Sequence, residues 1–155
     1  MHLHRYKVSL EWTGNLGAGT SSYIAYDRTH DLMSAGKPTI AGSSDPSFRG
    51  DSQRWNPEEL LVASLAACHQ LWYLHLCADA GVVVTAYRDT PCGEMSVDKG
   101  GEGQFDFVVL RPQVEIAAGS DRATALALHD DAAGKCFIAR SVNFPVRHEP
   151  TILQA

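Results

Sequence analysis

The sequence has no pair of cysteines two residues apart. Its four cysteines stand at 68, 77, 92 and 136, a spacing that supports neither a zinc site nor a thioredoxin-type dithiol. The histidines offer no ligand spacing either: His69 and His75 point to different faces of one helix, and His2 and His4 lie near the N-terminus. No metal is therefore expected. Positive charge is also scarce. Thirteen Lys and Arg against eighteen Asp and Glu leave a formal charge of −5, which argues against nucleic acid and against an anionic membrane surface, since both want a basic face. The opening MHLHRYKVSLEW lacks the apolar core of a signal peptide. The most apolar segment is interrupted by His69, Gln70 and His75, so it makes a poor membrane span. The expected location is the cytoplasm, where cysteines are reduced, catalytic or inert rather than a structural framework. No repeat, linker or low-complexity tract divides the chain, and 155 residues suffice for one domain, 1–155, with a real core.

What is present is one commanding helix. NPEELLVASLAACHQLWYLHLCADA, from Asn56 to Ala80, has Asn56 as N-cap, Pro57 at the first helical position and Glu59 placed for a capping box. Gly81 supplies the stop. Leu60, Leu61, Val62, Leu65, Leu71, Trp72, Leu74 and Leu76 spread over every face, so the helix is expected to be buried on most sides. A chain this small covers such a helix poorly by itself. A second copy would do it better, and a homodimer with the central helices near a shared core is expected.

Around this helix the chain reads as strands. Residues 5–12 alternate as a half-buried strand. TGNLGAGTSS has no Lys-Ser/Thr after its glycines, so a hairpin turn fits better than a phosphate loop. Ser22 to Arg28 then reads as the returning strand. The polar run from His30 to Trp55 holds one short strand, in KPTIAG. After Gly81 come VVVTAYRDTPCGEMSVD, with Cys92 in a turn, then KGGEGQ as a turn and FDFVVLRPQVEIA. There Pro112 suggests an edge or a bulge. Ser120 or Asp121 caps a second helix to about Gly134, with a stripe of Ala123, Leu126, Ala127 and Asp130. Val142 to Arg147 reads as the last strand. The class is α+β.

Chemistry turns on Cys68. Cys77 falls on the opposite side of the helix, at about 100° per residue. A free cysteine in an apolar helix is commonly a small packing residue. As a nucleophile it needs a nearby cation to stabilise its thiolate. Mid-helix, Cys68 is too far from the helix N-terminus for the dipole to serve. The cation must come from another segment, and Arg49 and Arg28 are the candidates. Both readings of the thiol stand on the residues alone.

The motif NPEELLVASLAAC resembles the central-helix signature of the OsmC/Ohr family of thiol-dependent hydroperoxide reductases. The likeness extends to the TGNLGAGTSSY opening, to GSSDPSFRGD before the helix, and to the second cysteine in AAGKCFIARSVNFPV. The helix motif joined to that cysteine is specific; the Gly-rich opening alone is weak. The resemblance implies an OsmC-like fold: antiparallel sheets packed around a long central helix, in an intertwined homodimer with two active sites at the interface. It implies that Cys68 attacks the O–O bond of an organic hydroperoxide and becomes a sulfenic acid, and that Cys136 condenses with it to a disulfide. A dithiol reductant of the lipoyl type would reopen that disulfide, with no bound cofactor. Glu58 matches the family glutamate that orients an arginine beside the thiol. Arg49 matches the arginine position of the OsmC branch, and Arg28 resembles that of the Ohr branch. Glu58 lies roughly 15 Å from Cys68 along one helix at 1.5 Å per residue, so the helix alone does not bring them together; an antiparallel pairing of two central helices would let Glu58 of one copy approach Cys68 of the other. Trp72, Tyr73, Leu71 and Phe137 would favour an apolar peroxide.

The chain departs from the pattern twice. Phe137 stands where better-known members carry proline, and His69 stands where an apolar residue is usual. His69 is either a proton donor to the leaving alkoxide or a histidine packed beside Trp72 or Tyr73. The alternative function is an OsmC-fold dimer that binds a small apolar ligand at the subunit interface without turnover.

Overall fold

In the computed structural model, which describes residues 1–155, the central helix is α1, Pro57–Asp79. Its start is the expected capping box: Glu59 N donates to Asn56 Oδ1 at 2.8 Å, and Asn56 N donates to Glu59 Oε2 at 3.2 Å. Its end is Gly81, whose φ of 74° is the left-handed turn that glycine makes at no steric cost. Contacts divide the chain into two units, Met1–Leu60 and Leu61–Ala155, with the boundary inside α1.

The N-terminal unit holds β1 (Ser9–Trp12), β2 (His30–Met33) and β3 (Ile40–Gly42), an antiparallel sheet in the order β1-β2-β3. The strand expected over 5–12 shortens to its last four residues. Ser22 to Arg28, expected as the returning strand, forms turns and bends instead, and β2 makes the return. The reason is local. The Arg28 guanidinium donates to the carbonyls of Tyr23 and Tyr26 and lies over both rings, at 4.4 and 4.0 Å from their centroids. Those carbonyls are thereby spent before a ladder could use them.

The C-terminal unit holds β4 (Val84–Asp89), β5 (Cys92–Val97), β6 (Gly103–Leu110), β7 (Pro112–Ile116), α2 (Arg122–Lys135), β8 (Val146–His148) and β9 (Thr151–Gln154). They form two sheets, β4-β7-β9 and β5-β6-β8. The hairpins β5–β6 and the pair β4–β7 are antiparallel, whereas β8 joins β6 and β9 joins β7 in parallel. The parallel pairs arise because β8 and β9 follow the α2 crossover, which returns the chain in its original direction. Cys92 opens β5 rather than sitting in a turn. Pro112 opens β7, which is the central strand of its sheet. Proline is tolerated there because the first residue of a strand need not donate to the ladder. Asp121 caps α2, its carboxylate accepting from Thr124 N at 2.9 Å. The buried stripe of α2 is Ala125, His129 and Ala132, not the Ala123, Leu126, Ala127, Asp130 face expected from the pattern.

Within this unit α1 packs on both sheets. Leu65 joins Val108 and Leu110, while Tyr73 and Cys77 join Val114, Ile116, Ala125, Ala132 and Ile152. The buried residues of α1 are Leu65, His69, Tyr73 and Cys77, a single stripe at four-residue spacing. The opposite stripe of Ala63, Ala67, Leu71 and His75 is exposed. The helix is thus buried along one face in the single chain, not on most sides as its composition suggests.

Candidate functional site

Helix α1 and the C-terminal end of α2 bring Cys68 and Cys136 together, although 67 residues separate them in sequence. Both thiols are free. Cys136 is the C-cap residue of α2, where the backbone leaves the helix in an extended conformation with φ −64° and ψ 113°. That turn directs its side chain inward, and it is 1 % exposed. Its Sγ accepts a hydrogen bond from Ala139 N at 3.4 Å. Burial pushes the Cys136 thiol up to about 11, and the neighbouring Cys68 thiol adds to that rise. Cys68 itself is only half-buried, so of the two it is the one open to a reagent. Cys77 is buried in the core below Tyr73, and burial raises its thiol as well.

The aromatic wall of the site is Trp72, one helical turn beyond Cys68, and Phe137, the neighbour of Cys136. Their rings meet edge to face with centroids 5.5 Å apart, a favoured aromatic geometry. Lys135 Nζ lies 5.6 Å from the Trp72 ring. Tyr73 is fully buried and Leu71 is exposed, so neither is placed as Trp72 is.

His69 is 1 % exposed and turns into the core. Its Nε2 is 3.0 Å from Nδ1 of His129, whose ring stacks on Tyr73 with centroids 3.8 Å apart. Tyr73 in turn donates its hydroxyl to the Ala125 carbonyl at 2.8 Å. Burial lowers His69 to about 4 and His129 to about 3, each also disfavoured by the neighbouring imidazoles, so both rings are neutral at pH 7. A third ring, His148 on β8, lies with its centroid 5.6 Å from that of His69. Its Nε2 bonds Asp130 Oδ1 at 2.7 Å. A small cavity of about 30 Å³ is lined by His69, Cys136, Ala139, Val146, Arg147 and His148, among others. His129 and His148 were absent from the sequence reading, and Asp130 entered it only as a member of the helix stripe. The usable signal was the Ala125, His129, Ala132 spacing, which puts His129 on the buried face of α2; nothing in the sequence pairs His148 with Asp130.

Arg49 and Glu58 belong to the N-terminal unit. Arg49 is the only non-glycine residue with positive φ, at 62°, and it ends a short 3₁₀ turn, Pro46–Phe48. Its guanidinium is exposed and makes no hydrogen bond or ion pair within the chain. Arg28, by contrast, is fully engaged by Tyr23 and Tyr26. Glu58 Oε2 is buried and has no hydrogen-bond partner.

Comparison with known proteins identifies the family and the fold. The family described as OsmC-like protein matches residues 50–151. No curated protein sequence matches the chain. Among solved structures, an OsmC-like protein of unknown function from Vibrio cholerae is similar at 27 % identity and TM-score 0.87, over 96 % of this chain and 100 % of that one. An organic hydroperoxide resistance protein from Legionella pneumophila shares the fold at 15 % identity and TM-score 0.69, covering 98 % of each chain. Another from Bacillus subtilis does so at 18 % identity and TM-score 0.65, over 94 % of this chain and 98 % of its own. With its α+β fold, its central helix and a family match spanning most of its length, the chain belongs to the OsmC-like family.

Proposed function

We propose that the protein is a thiol peroxidase that reduces organic hydroperoxides to alcohols. The observation that carries this reading is the juxtaposition of Cys68 and Cys136, one half-open and one buried. The Cys68 thiolate attacks the distal peroxide oxygen, the O–O bond breaks, and the alkoxide leaves as the alcohol. Cys68 becomes a sulfenic acid. Cys136 attacks that sulfur, water leaves, and a disulfide forms. A dithiol reductant, such as a lipoyl group, returns the pair to thiols in a reducing cytoplasm. Trp72 and Phe137 give the site an apolar wall that favours an organic peroxide over hydrogen peroxide.

Arg49 is the proposed activator of Cys68. A non-glycine residue held at positive φ costs about 1–2 kcal/mol, and such strain clusters at functional positions. Its unengaged guanidinium and the unpartnered Glu58 oxygen supply complementary halves of an ion pair. The exposed apolar stripe of Ala63, Ala67 and Leu71 on α1 supports a second copy of the chain as the element that completes the arrangement.

The test is one equivalent of cumene hydroperoxide added to the reduced protein, with cysteines mapped by mass spectrometry. A rapid Cys68–Cys136 disulfide, lost in Cys68→Ser, is the expected result. Persistent free thiols would refute the peroxidase and favour a dimer that binds a small apolar ligand.

A further inference from the structure

The 30 Å³ cavity behind Cys136 contains a base as well as a thiol. Two imidazoles, His69 and His148, line it, with His129 packed behind them, and their surroundings divide them. His69 is bonded to His129 and both are sealed from solvent, so His69 presents a neutral ring to the cavity. His148 is different: it sits at the rim, its Nε2 is held by the Asp130 carboxylate at 2.7 Å, and its Nδ1 makes no hydrogen bond within the chain. A carboxylate on one imidazole nitrogen fixes the tautomer and makes the other nitrogen the proton acceptor. A cavity of this size has room for about one water, and Cys136 and His148 both line it.

We propose that His148, positioned by Asp130, is the general base for Cys136, and that this chain therefore activates its second cysteine independently of its first. The role rests on the peroxidase reading for its place in the cycle. As Cys136 attacks the Cys68 sulfenic sulfur, His148 takes the Sγ proton through the cavity. The S–S bond forms, the S–O bond breaks, and the departing hydroxide takes one proton to become water. Cys136 sulfur is oxidised and Cys68 sulfur is reduced to the disulfide level. One proton leaves the thiol and one reaches the hydroxide, so the dyad is restored.

The need for a base follows from burial: the same enclosure that hides Cys136 raises its thiol to about 11, which leaves few spontaneous thiolates at pH 7. The charged and titratable groups facing His148 are Asp130 and His129 from α2, His69 from α1, Cys136 across the cavity, and Arg147 beside it on β8. The Arg147 guanidinium is stacked over Phe107 at 5.0 Å, and Glu149, on the other side of His148 in sequence, is paired with Arg111 at 3.7 Å.

The test does not need a peroxide. In a Cys92→Ser background, which removes the exposed competing thiol, Ellman's reagent loads Cys68 and releases one thionitrobenzoate. Attack by Cys136 then releases a second. His148→Gln is expected to slow the second phase by about 10²-fold, the lower end for a general base, and to abolish an inflection in its pH profile while leaving the first phase unchanged. Asp130→Asn, at a side chain 85 % exposed and so harmless to folding, is expected to slow the second phase by more than twofold but less than His148→Gln does, and to displace the inflection. A second phase within twofold of wild type in both variants overturns the proposal. So does a slowed phase that keeps the wild-type pH profile, because that marks a purely structural role. Trapping of the sulfenic acid in Cys136→Ser after peroxide treatment reads the peroxidase reading separately: its absence would remove the peroxide and leave the dyad to stand or fall on the second phase.

Discussion

Acidification from pH 7 to pH 5 should unfold this protein far more readily than its carboxylates alone would allow. The folded chain lowers His69 to about 4 and His129 to about 3 from 6.5, chiefly by burial. Between those values and 6.5 the unfolded chain binds more protons than the folded one, so stability rises with pH across that window and is lost as pH falls through it. Treated separately, each imidazole removes about 2 kcal/mol between pH 7 and pH 5, and the pair about 4 kcal/mol. That is a large part of the 5–15 kcal/mol typical of a domain. The lowered carboxyls of Asp45 and Asp121 titrate below this window, and Asp89, raised by its own burial, works in the opposite direction. Urea unfolding at the two pH values, at one fixed protein concentration, reads the difference directly. His129→Gln should halve it. Equal stability at pH 7 and pH 5, or an undiminished slope in His129→Gln, would show that the buried pair is not held neutral by the fold.

Three further outcomes are expected. Arg49→Gly should leave stability unchanged or raise it by up to about 1 kcal/mol, because glycine relieves the left-handed backbone, while slowing oxidation of Cys68 by cumene hydroperoxide on the order of 10²-fold; thermal melts and stopped-flow kinetics measure the two. Tyr87→Phe should stabilise by about 1 kcal/mol, visible as a rise in Tm, since the Tyr87 hydroxyl is buried without a partner. Asn56→Ala removes the side-chain half of the capping box, the bond that Glu59 N donates to Asn56 Oδ1, and should cost about 1 kcal/mol in chemical denaturation.

The parts of the fold legible in the sequence are those whose signals are local. Asn56, Glu59 and Gly81 state where α1 begins and ends, and the capping box and the φ of Gly81 realise them. The parts that were not legible depend on partners far away in sequence. The return to β1 was misplaced because the Arg28 guanidinium takes carbonyls that alternation alone would assign to a ladder. β9 was missed because TILQ has no pattern long enough to register and is a strand only by virtue of pairing with β7. At the site, the resemblance named Cys68 and Cys136, but the imidazole cluster could not be read, since His69, His129 and His148 come from three elements. His69, Gln70 and His75 suggested a poor membrane span, yet α1 passes that test by length and composition; the packing of Leu65, Tyr73 and Cys77 into two core clusters accounts for the apolarity of one face.

The separation of Cys68 and Cys136 along the chain has a consequence for electron flow. In an unfolded chain the two thiols sit at the ends of a segment with 67 intervening residues, and a cross-link between them would close that loop at an entropic cost of about 4 kcal/mol. The folded chain has already met that cost by holding the thiols side by side. Folding therefore favours the oxidised pair by up to the same amount, equivalent to lowering the reduction potential by about 90 mV. Any reductant that resets the site must work against the tertiary structure itself. A dithiol, whose own ring closure drives the exchange forward, is suited to that task, whereas a dilute monothiol is not.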